Sequence, residues 1–585
     1  MHISKNIFFG LTSFACLTLG SSDLLATTLV SVSNGDGSGT LPAAIDAVNG
    51  ATSTSPILIE SGVSPILSLY PGPTITTSMT IGSDRLGGSP SRAINGNSYT
   101  LNVTAGDVIF TADITLENFD NIDFQGGTTT IAGPIINNYL FLGDPDGATL
   151  ILSGDNSSNY NQISVYTPSI VTLLAPISPS STFWLTDGTL NAKTNLSLSE
   201  LLSCGGTINT DSGYTTTIST LFMNCGGMNL TLNGPGINVI ETINMKYSPN
   251  QITGILGGSS GLTLEGSGTL TLNSINTYTG STAVGFNTTD VVTLQINSEA
   301  LIGNKNANIN VNSNCTLNNN GRVLYYTLIN YGTVSGTGYF DGQTLTVAEA
   351  GFITPGNSPG LLTINGDVNS LSGSTIQIFL SPEESSELSV SGILTLDPDV
   401  TLKIVPETSC YPKTKGFSII AAGGGLNGTF SQVDTGSILL TADLTYGSHG
   451  VLITVNRGNL GDLGLHGNAL VVAKAVDSLI DGGHSLCSVM GDFILSSKEE
   501  IAAALESLQP SLFKGLTISQ ENNAVKVQDT LGYRMQVELD STHCHPLHSK
   551  DEIKSTCERE KKPFQVWVNG MGDALHQTLT PPIVT

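Results

Sequence analysis

Two passages of this 585-residue chain repeat each other at an interval of 21 residues. The segment LLSCGGTIN, which contains Cys204, aligns with the segment FMNCGGMNL, which contains Cys225. Short runs of alternating apolar and polar residues surround both copies, and this alternation is typical of strands with one buried face. A repeat of about 20 residues suits one turn of a parallel β-solenoid. The sequence therefore predicts a mostly β chain, with a right-handed parallel β-helix over residues 27–456.

The N-terminus has the pattern of a secretory signal peptide. Lys5 supplies a positive charge, residues 7–19 form an apolar run, and Ala26 ends a plausible cleavage site. The run is too short for a helix that spans a membrane. A lipoprotein signal that uses Cys16 is the weaker alternative, because the residues around it fit a lipidation motif poorly. We therefore expect an exported protein that is cleaved after Ala26.

The surface chemistry is expected to be polar but largely uncharged. Charged residues make up only 12% of the chain, and the formal net charge is −26. Such a balance argues against nucleic acids and anionic lipid head groups as partners. Between residues 27 and 350 there are six basic residues: Arg85, Arg92, Lys193, Lys246, Lys305 and Arg322. These are too few for a stripe that follows phosphates.

Cysteines outside the signal number seven, so at least one has no partner within the chain. Cys204 and Cys225 occupy equal places in neighbouring turns, and this spacing is compatible with a disulfide without requiring one. Cys544 and Cys557 lie in a segment that also contains three histidines: His543, His545 and His548. The spacing matches no common zinc pattern, so a disulfide-closed loop is favoured over a metal site, and free thiols are the remaining alternative.

The sequence predicts no catalytic, cofactor-binding or metal site. Residues 257–261 and 356–360 match the G-x-S-x-G pattern, but strand patterns follow both, and a nucleophile elbow requires a helix there. Seven of the eight histidines lie at or beyond His449, which leaves the repeat region without the usual general base. Asp120 and Asp123 invite comparison with the acids of polysaccharide-cleaving β-helices, but cations to stabilise developing negative charge are scarce.

Helical periodicity is confined to a few segments. Residues 41–48 predict a short helix that caps the N-terminal end. Beyond residue 468 apolar residues follow helical spacing, and Ser497 with Glu500 forms a capping box before a second helix of this region. Residues 524–531 suggest a third helix there. These helices predict a linker after the β-helix.

Two segments carry a resemblance to a known family. Residues 351–367 read GFITPGNSPGLLTINGD, and residues 564–573 read FQVWVNGMGD. The first resembles the repeat signature of bacterial autotransporter passengers, which are exported by type V secretion. The second is similar to the opening strand of the autotransporter outer-membrane β-barrel. Residues 252–282 also resemble a passenger-associated transport repeat.

The resemblance implies a division of the chain into five parts. They are a signal peptide (1–26), a β-helix passenger (27–350), a C-terminal passenger region that assists folding (351–457), a helical linker with a Cys- and His-containing loop (458–563), and the first strands of an incomplete outer-membrane barrel (564–585). Because a barrel of about twelve strands needs several hundred residues, the last part offers at most two strands.

The function that the resemblance implies is that of a cell-surface passenger, either an adhesin or a display rod, without catalytic activity or cofactor. Its expected partners are the outer membrane, the barrel-assembly machinery, and a host-cell or matrix receptor. The alternatives are a secreted β-helical enzyme that acts on polysaccharides, and a non-functional fragment of a split autotransporter gene, which would stay in the periplasm. The polymorphic outer-membrane protein family is a further candidate, although its GGA[ILV] and FxxN motifs are absent from this sequence.

Overall fold

A computed structural model describes 15 stretches of the chain. They comprise residues 28–30, 40–50, 57–59, 74–83, 92–104, 106–136, 138–143, 147–158, 161–227, 229–247, 249–356, 358–481, 487–507, 568–569 and 574–575. Contacts divide the chain into two compact units, which we call unit 1 (1–281) and unit 2 (282–585). Strands make up 53% of the structure, so the predicted mostly β class is confirmed.

The described residues of unit 1 form one helix, α1 (Leu41–Asn49), where the sequence predicts a short helix. Its other elements are strands. In chain order they are β1 (Thr28–Val30), β2 (Ile57–Ile59), β3 (Thr74–Ile75), β4 (Met79–Ser83), β5 (Arg92–Asn95), β6 (Thr100–Val103), β7 (Asp107–Phe110), β8 (Ile114–Glu117), β9 (Asn121–Phe124), β10 (Thr128–Ile131), β11 (Ile135–Ile136), β12 (Asn138–Leu142), β13 (Thr149–Leu152), β14 (Asn161–Tyr166), β15 (Ile170–Leu173), β16 (Thr182–Thr186), β17 (Thr189–Ala192), β18 (Leu196–Ser203), β19 (Gly206–Thr210), β20 (Thr215–Met223), β21 (Asn229–Asn233), β22 (Ile237–Met245), β23 (Asn250–Thr253) and β24 (Leu262–Leu272).

The strands of unit 1 pair in parallel, each with the equivalent strand of the next turn, and this pairing defines a parallel β-solenoid. One stack includes β7, β10, β13, β15 and β17. In this stack Thr128, Thr149 and Ile170 follow Asp107 at intervals of 21 residues, as the sequence repeat predicts. A second stack includes β9, β12, β14, β16, β18, β20 and β22. A short third stack contains β5, β8 and β11.

The core of unit 1 is a set of apolar columns that run from turn to turn. In the second stack one column is formed by inward side chains of consecutive strands, and each of them is 0% exposed: Ile122, Leu140, Ile163, Phe183, Leu201, Leu221, Ile243 and Leu264. Because successive strand residues point to opposite faces, the residue after each of these points outward. Burial of the columns is the main term that stabilises a solenoid.

Unit 2 also consists mainly of β-strands. Its strands are β25 (Thr282–Val284), β26 (Val291–Ile296), β27 (Leu301–Gly303), β28 (Ile309–Val311), β29 (Thr316–Asn319), β30 (Arg322–Leu324), β31 (Thr327–Asn330), β32 (Thr333–Gly336), β33 (Tyr339–Val347), β34 (Phe352–Pro355), β35 (Leu361–Ser370), β36 (Thr375–Leu380), β37 (Glu387–Val390), β38 (Ile393–Leu396), β39 (Thr401–Pro406), β40 (Thr414–Ala422), β41 (Gly425–Asn427), β42 (Gln432–Asp434), β43 (Leu440–Gly447), β44 (Gly450–Arg457), β45 (Val568–Asn569) and β46 (Ala574–Leu575).

Parallel pairing in unit 2 changes to antiparallel pairing near residue 457. The stack β29, β32, β34 and β36 is parallel and runs without interruption past residue 350. In contrast, β44 pairs antiparallel with both β40 and β43. We call these three strands the antiparallel cap. The cap covers a strand edge that another parallel turn would otherwise need to occupy.

Among the described residues three helices follow the cap: α2 (Gly467–Asp481), α3 (Cys487–Phe493) and α4 (Lys498–Ser507). Helical periodicity predicts α2 and α4 but not α3. A 3₁₀ turn at Leu460–Asp462 precedes them, and its Leu460 and Gly461 N–H groups donate to the Asp477 carboxylate at 3.0 and 2.8 Å. The predicted capping box is present. The Glu500 N–H donates to Ser497 Oγ at 3.2 Å, and the Ser497 N–H donates to Glu500 Oε2 at 2.8 Å.

The C-terminal predictions lie largely outside the described residues. There β45 and β46 pair antiparallel, but most of residues 564–585 and the predicted helix at 524–531 are not described. The role of residues 458–563 as a linker and the start of a barrel at 564 therefore stay predictions, as do the boundary at residue 350 and the right-handed sense of the solenoid.

Candidate functional site

An outward-facing column in which four of five side chains are large and apolar distinguishes the second stack of unit 1. In register along five consecutive strands stand Phe141, Ser164, Trp184, Leu202 and Phe222. Each follows a fully buried residue of the inward column, so the backbone directs it away from the core. Four steps between strands give the column a length of about 19 Å.

A tyrosine on the same face, Tyr166, lies beside the column and contacts Phe141. The rings of Phe141 and Tyr166 have centroids 5.2 Å apart and are tilted by 45°, an arrangement within the favourable range for aromatic pairs. Between the aromatic positions lies Ser164, which is fully buried and whose hydroxyl is 2.8 Å from that of Tyr139. We call the set Phe141, Tyr166, Trp184, Leu202 and Phe222 the aromatic stripe.

Trp184 is the most exposed part of the stripe, with 41% of its surface open to solvent. A tryptophan on the outer face of a strand gains little from folding, whereas it contributes strongly to binding where it contacts a partner. Its rigid ring also loses little conformational entropy when a ligand packs on it. The stripe is therefore the strongest candidate for a binding surface in unit 1.

The outward column beside the stripe carries no positive charge. The neighbouring outward column consists of Tyr139, Gln162, Thr182, Glu200 and Thr220. At its two ends the stripe meets acidic or amide side chains, because Asp123 is in register with Phe141 and Asn244 with Phe222. Hydroxyls and amides can donate to and accept from a neutral polar ligand, and the carboxylates disfavour an anionic one.

Sequence reasoning did not identify this surface, although a signal is present. In an alternating strand the residue between two buried ones is usually polar. Instead, three strands of the second stack contain runs of three apolar residues: Leu140-Phe141-Leu142, Phe183-Trp184-Leu185 and Leu221-Phe222-Met223. An apolar residue at an outward position breaks the alternation that a half-buried strand requires. Three such breaks at one register position mark the stripe.

The cysteines of the described residues differ in their state. Cys204 and Cys225 form a disulfide with a Cα–Cα distance of 5.1 Å. Cys410 is also disulfide-bonded. Cys315 is a free, buried thiol, and its burial raises its pKa, which disfavours the reactive thiolate. Cys544, Cys557 and the cleavage site at Ala26 lie outside the described residues.

The other sequence candidates occupy ordinary structural positions. Residues 356–360 join the end of β34 at Pro355 to the start of β35 at Leu361, so a strand follows the G-x-S-x-G match at this place. Asp123 accepts a hydrogen bond from the Gln125 side chain at 2.9 Å. In the part of the chain that the structure describes, three or more potential metal ligands nowhere gather within coordinating reach.

Comparison with known protein families finds no family model that matches this chain. Comparison with characterised proteins likewise finds none that is similar to it in sequence. Among the helices of the described residues, none combines the length and the apolar character needed to cross a membrane.

Proposed function

We propose that this chain is the exported passenger of an autotransporter-type surface protein, and that it acts as an adhesin without catalytic activity. The resemblance of residues 351–367 and 564–573 to autotransporter segments supports the secretion route. The parallel β-solenoid supports the passenger assignment, because the resemblance implies that architecture. The disulfide between Cys204 and Cys225 fits an oxidising compartment outside the cytoplasm.

The observation that carries the proposal is the aromatic stripe. Apolar side chains that remain open to solvent on an outer face indicate an interaction site, and the stripe places the exposed Trp184 among half-buried apolar neighbours. The flat rings of Phe141, Trp184 and Phe222 can stack against the apolar faces of sugar rings, while neighbouring hydroxyls and amides bond to sugar hydroxyls. Lys and Arg are absent from both outward columns, so the partner that fits is a neutral glycan of a host-cell or matrix receptor.

Binding is tested with the purified chain and neutral oligosaccharides, namely cello- and laminari-oligosaccharides. The chain contains two tryptophans, so Trp567→Phe makes Trp184 the single reporter of fluorescence. We expect saturable change of its emission with at least one neutral glycan. Trp184→Ala, followed by calorimetry, should weaken that binding about tenfold or more, which corresponds to about 1.4 kcal/mol.

Tyr214→Ala is the matched control, because Tyr214 is an aromatic residue of unit 1 that is 39% exposed and lies outside the stripe. It should bind as the parent chain does. Release of new reducing ends during incubation would contradict the proposal and favour the polysaccharide-acting enzyme. Equal binding by the Trp184→Ala and parent chains would show that the stripe is not the binding surface.

A further inference from the structure

A small polar cleft of about 230 Å³ lies in unit 2. It forms where strand β33 passes from one stack to another, at a shift of register between Asp341 and Thr344. Four successive passes of the chain contribute its walls, which consist of Lys305, Tyr325, Asp341, Gly342, Gln343 and Asn365. The volume is below the roughly 300–1,000 Å³ typical of sites for drug-sized ligands. Its size therefore suits a single sugar unit.

Charge is concentrated at this cleft to an unusual degree for this chain. Two of the six basic residues between positions 27 and 350, Lys305 and Arg322, lie at it. The Asp341 carboxylate is buried, and it accepts from Arg322 Nε and from the Asn365 side-chain amide. Among the described residues Lys305 has no ion-pair partner. The local balance is thus positive by one charge in a chain whose net charge is −26.

A buried hydroxyl at the cleft also lacks a partner. Tyr325 is 0% exposed, and its hydroxyl makes no hydrogen bond with the described residues. A Cβ atom at position 342 would lie 2.3 Å from two carbons of the Tyr325 ring, so the ring occupies this place only because residue 342 is glycine. Burial, with a smaller contribution from the Asp341 charge, raises the pKa of Tyr325. The hydroxyl therefore remains a proton donor at neutral pH.

We propose that the cleft binds one uronic acid residue of an extracellular glycan, a ligand that the proposed function does not assign. The Lys305 ammonium pairs with the sugar carboxylate. Ring hydroxyls donate to the lone pairs of Asp341 that Arg322 and Asn365 leave open. The Tyr325 hydroxyl donates to a sugar oxygen. A multiply charged anion such as phosphate fits less well, because its greater negative charge is repelled more strongly by Asp341.

The proposal is tested by titrating the full chain with D-glucuronate, D-glucose and acetate, with binding followed by calorimetry and ligand-observed NMR. We expect D-glucuronate to bind at least tenfold more tightly than either of the other probes. Equal binding of glucose would overturn recognition of the carboxylate. Equal binding of acetate would overturn recognition of the sugar. Failure of glucuronate to bind would overturn the site itself.

Two variants assign the interaction to the cleft. Lys305→Met should lower glucuronate affinity about tenfold or more, whereas Lys193→Met, which removes a half-exposed lysine of unit 1, should leave it unchanged. Tyr325→Phe keeps the ring and removes the hydroxyl, so it should remain folded and bind glucuronate at least fivefold more weakly. Unchanged affinity in either cleft variant would overturn the proposal. The neutral-glycan test at Trp184 is independent of these results, so each proposal can fail alone.

Discussion

Buried asparagines join one turn of the solenoid to the next through the backbone. Asn319 is fully buried; its Oδ1 accepts from the Gly321 N–H at 3.0 Å, and its Nδ2 donates to the Tyr339 carbonyl at 2.9 Å. Asn330 repeats the pattern with Gly332 and Phe352. Such an amide satisfies backbone groups where the chain leaves a strand and no strand partner is present. These side chains therefore stabilise the corners of the solenoid.

Replacement of Asn319 by Ala is expected to lower the free energy of unfolding by about 2 kcal/mol, because a buried N–H and a partly buried carbonyl each lose a partner. Urea denaturation followed by circular dichroism measures the change. Asn310→Ala serves as the control, since Asn310 is exposed on β28, and its effect should stay within about 0.5 kcal/mol. A loss of similar size in both variants would contradict the role given to Asn319.

At the scale of elements, each strand is joined to its counterpart in the next turn, and one such pair is also linked covalently. Cys204 follows β18 and Cys225 follows β20, so the disulfide closes a loop with a sequence separation of 21 residues. A cross-link that closes a loop of this length lowers the conformational entropy of the unfolded chain. In the chain-entropy account this raises the free energy of unfolding by about 3 kcal/mol. It therefore holds two turns of unit 1 in register.

The double variant Cys204→Ser/Cys225→Ser should have a free energy of unfolding about 3 kcal/mol lower than that of the parent chain. Asn224→Ala is the matched control, because residue 224 precedes Cys225 in the same turn and takes no part in the cross-link. The measurement is urea denaturation under non-reducing conditions. If the double variant matches the control, the disulfide contributes nothing to stability.

Alternation and the 21-residue repeat were sufficient to predict strands, the solenoid and the proximity of the two cysteines. The register differs from the prediction, because β18 pairs with β20 at an interval of 20 residues (Ser203 with Met223), so Cys225 lies one residue beyond the position equivalent to Cys204. The alternation and the repeat were insufficient to predict the aromatic stripe, because the residues that form an outward column can be assigned only when the length of every turn is known. In unit 1 that length varies from 18 residues, between Thr189 and Thr207, to 29 residues, between Thr28 and Ile57. The cleft was hidden for the same reason, since Arg322 and Asp341 meet only through the pairing of β30 with β33.

For the molecule as a whole, the exposed edge at each end of a parallel solenoid is a weakness. Unpaired N–H and C=O groups at such an edge template pairing with another chain. In unit 2 the antiparallel cap changes the direction of pairing, and β44 pairs with β40 and β43 along its length. Because each turn gains most of its burial from its neighbours, a closed end stabilises the turns before it.

This arrangement leads us to expect that residues 351–457 are the most stable part of the passenger and assist the folding of the rest. Inward residues here are fully buried over several turns, among them Ile376, Ile378, Leu402, Val451 and Ile453. Proteolysis at increasing urea concentration should leave a fragment that contains this region last. A more persistent fragment from residues 27–350 would contradict the expectation.

The contribution of the cap itself is tested by two substitutions at adjacent positions of β44. Ile453 is 0% exposed and Leu452 is 54% exposed, so an aspartate is buried in one variant and solvated in the other. Ile453→Asp should destabilise unit 2 by about 4 kcal/mol or more, because a charge without a partner replaces a core side chain. Residues 351–457 should then become sensitive to protease, and the freed strand edge should produce oligomers that size-exclusion chromatography detects.

Leu452→Asp is the control. It should elute at the same volume as the parent chain and should resist protease to the same extent. If Ile453→Asp is equally resistant, the turns before β40 are stable without the cap, and the stability of this region has to be assigned to its parallel stacks alone.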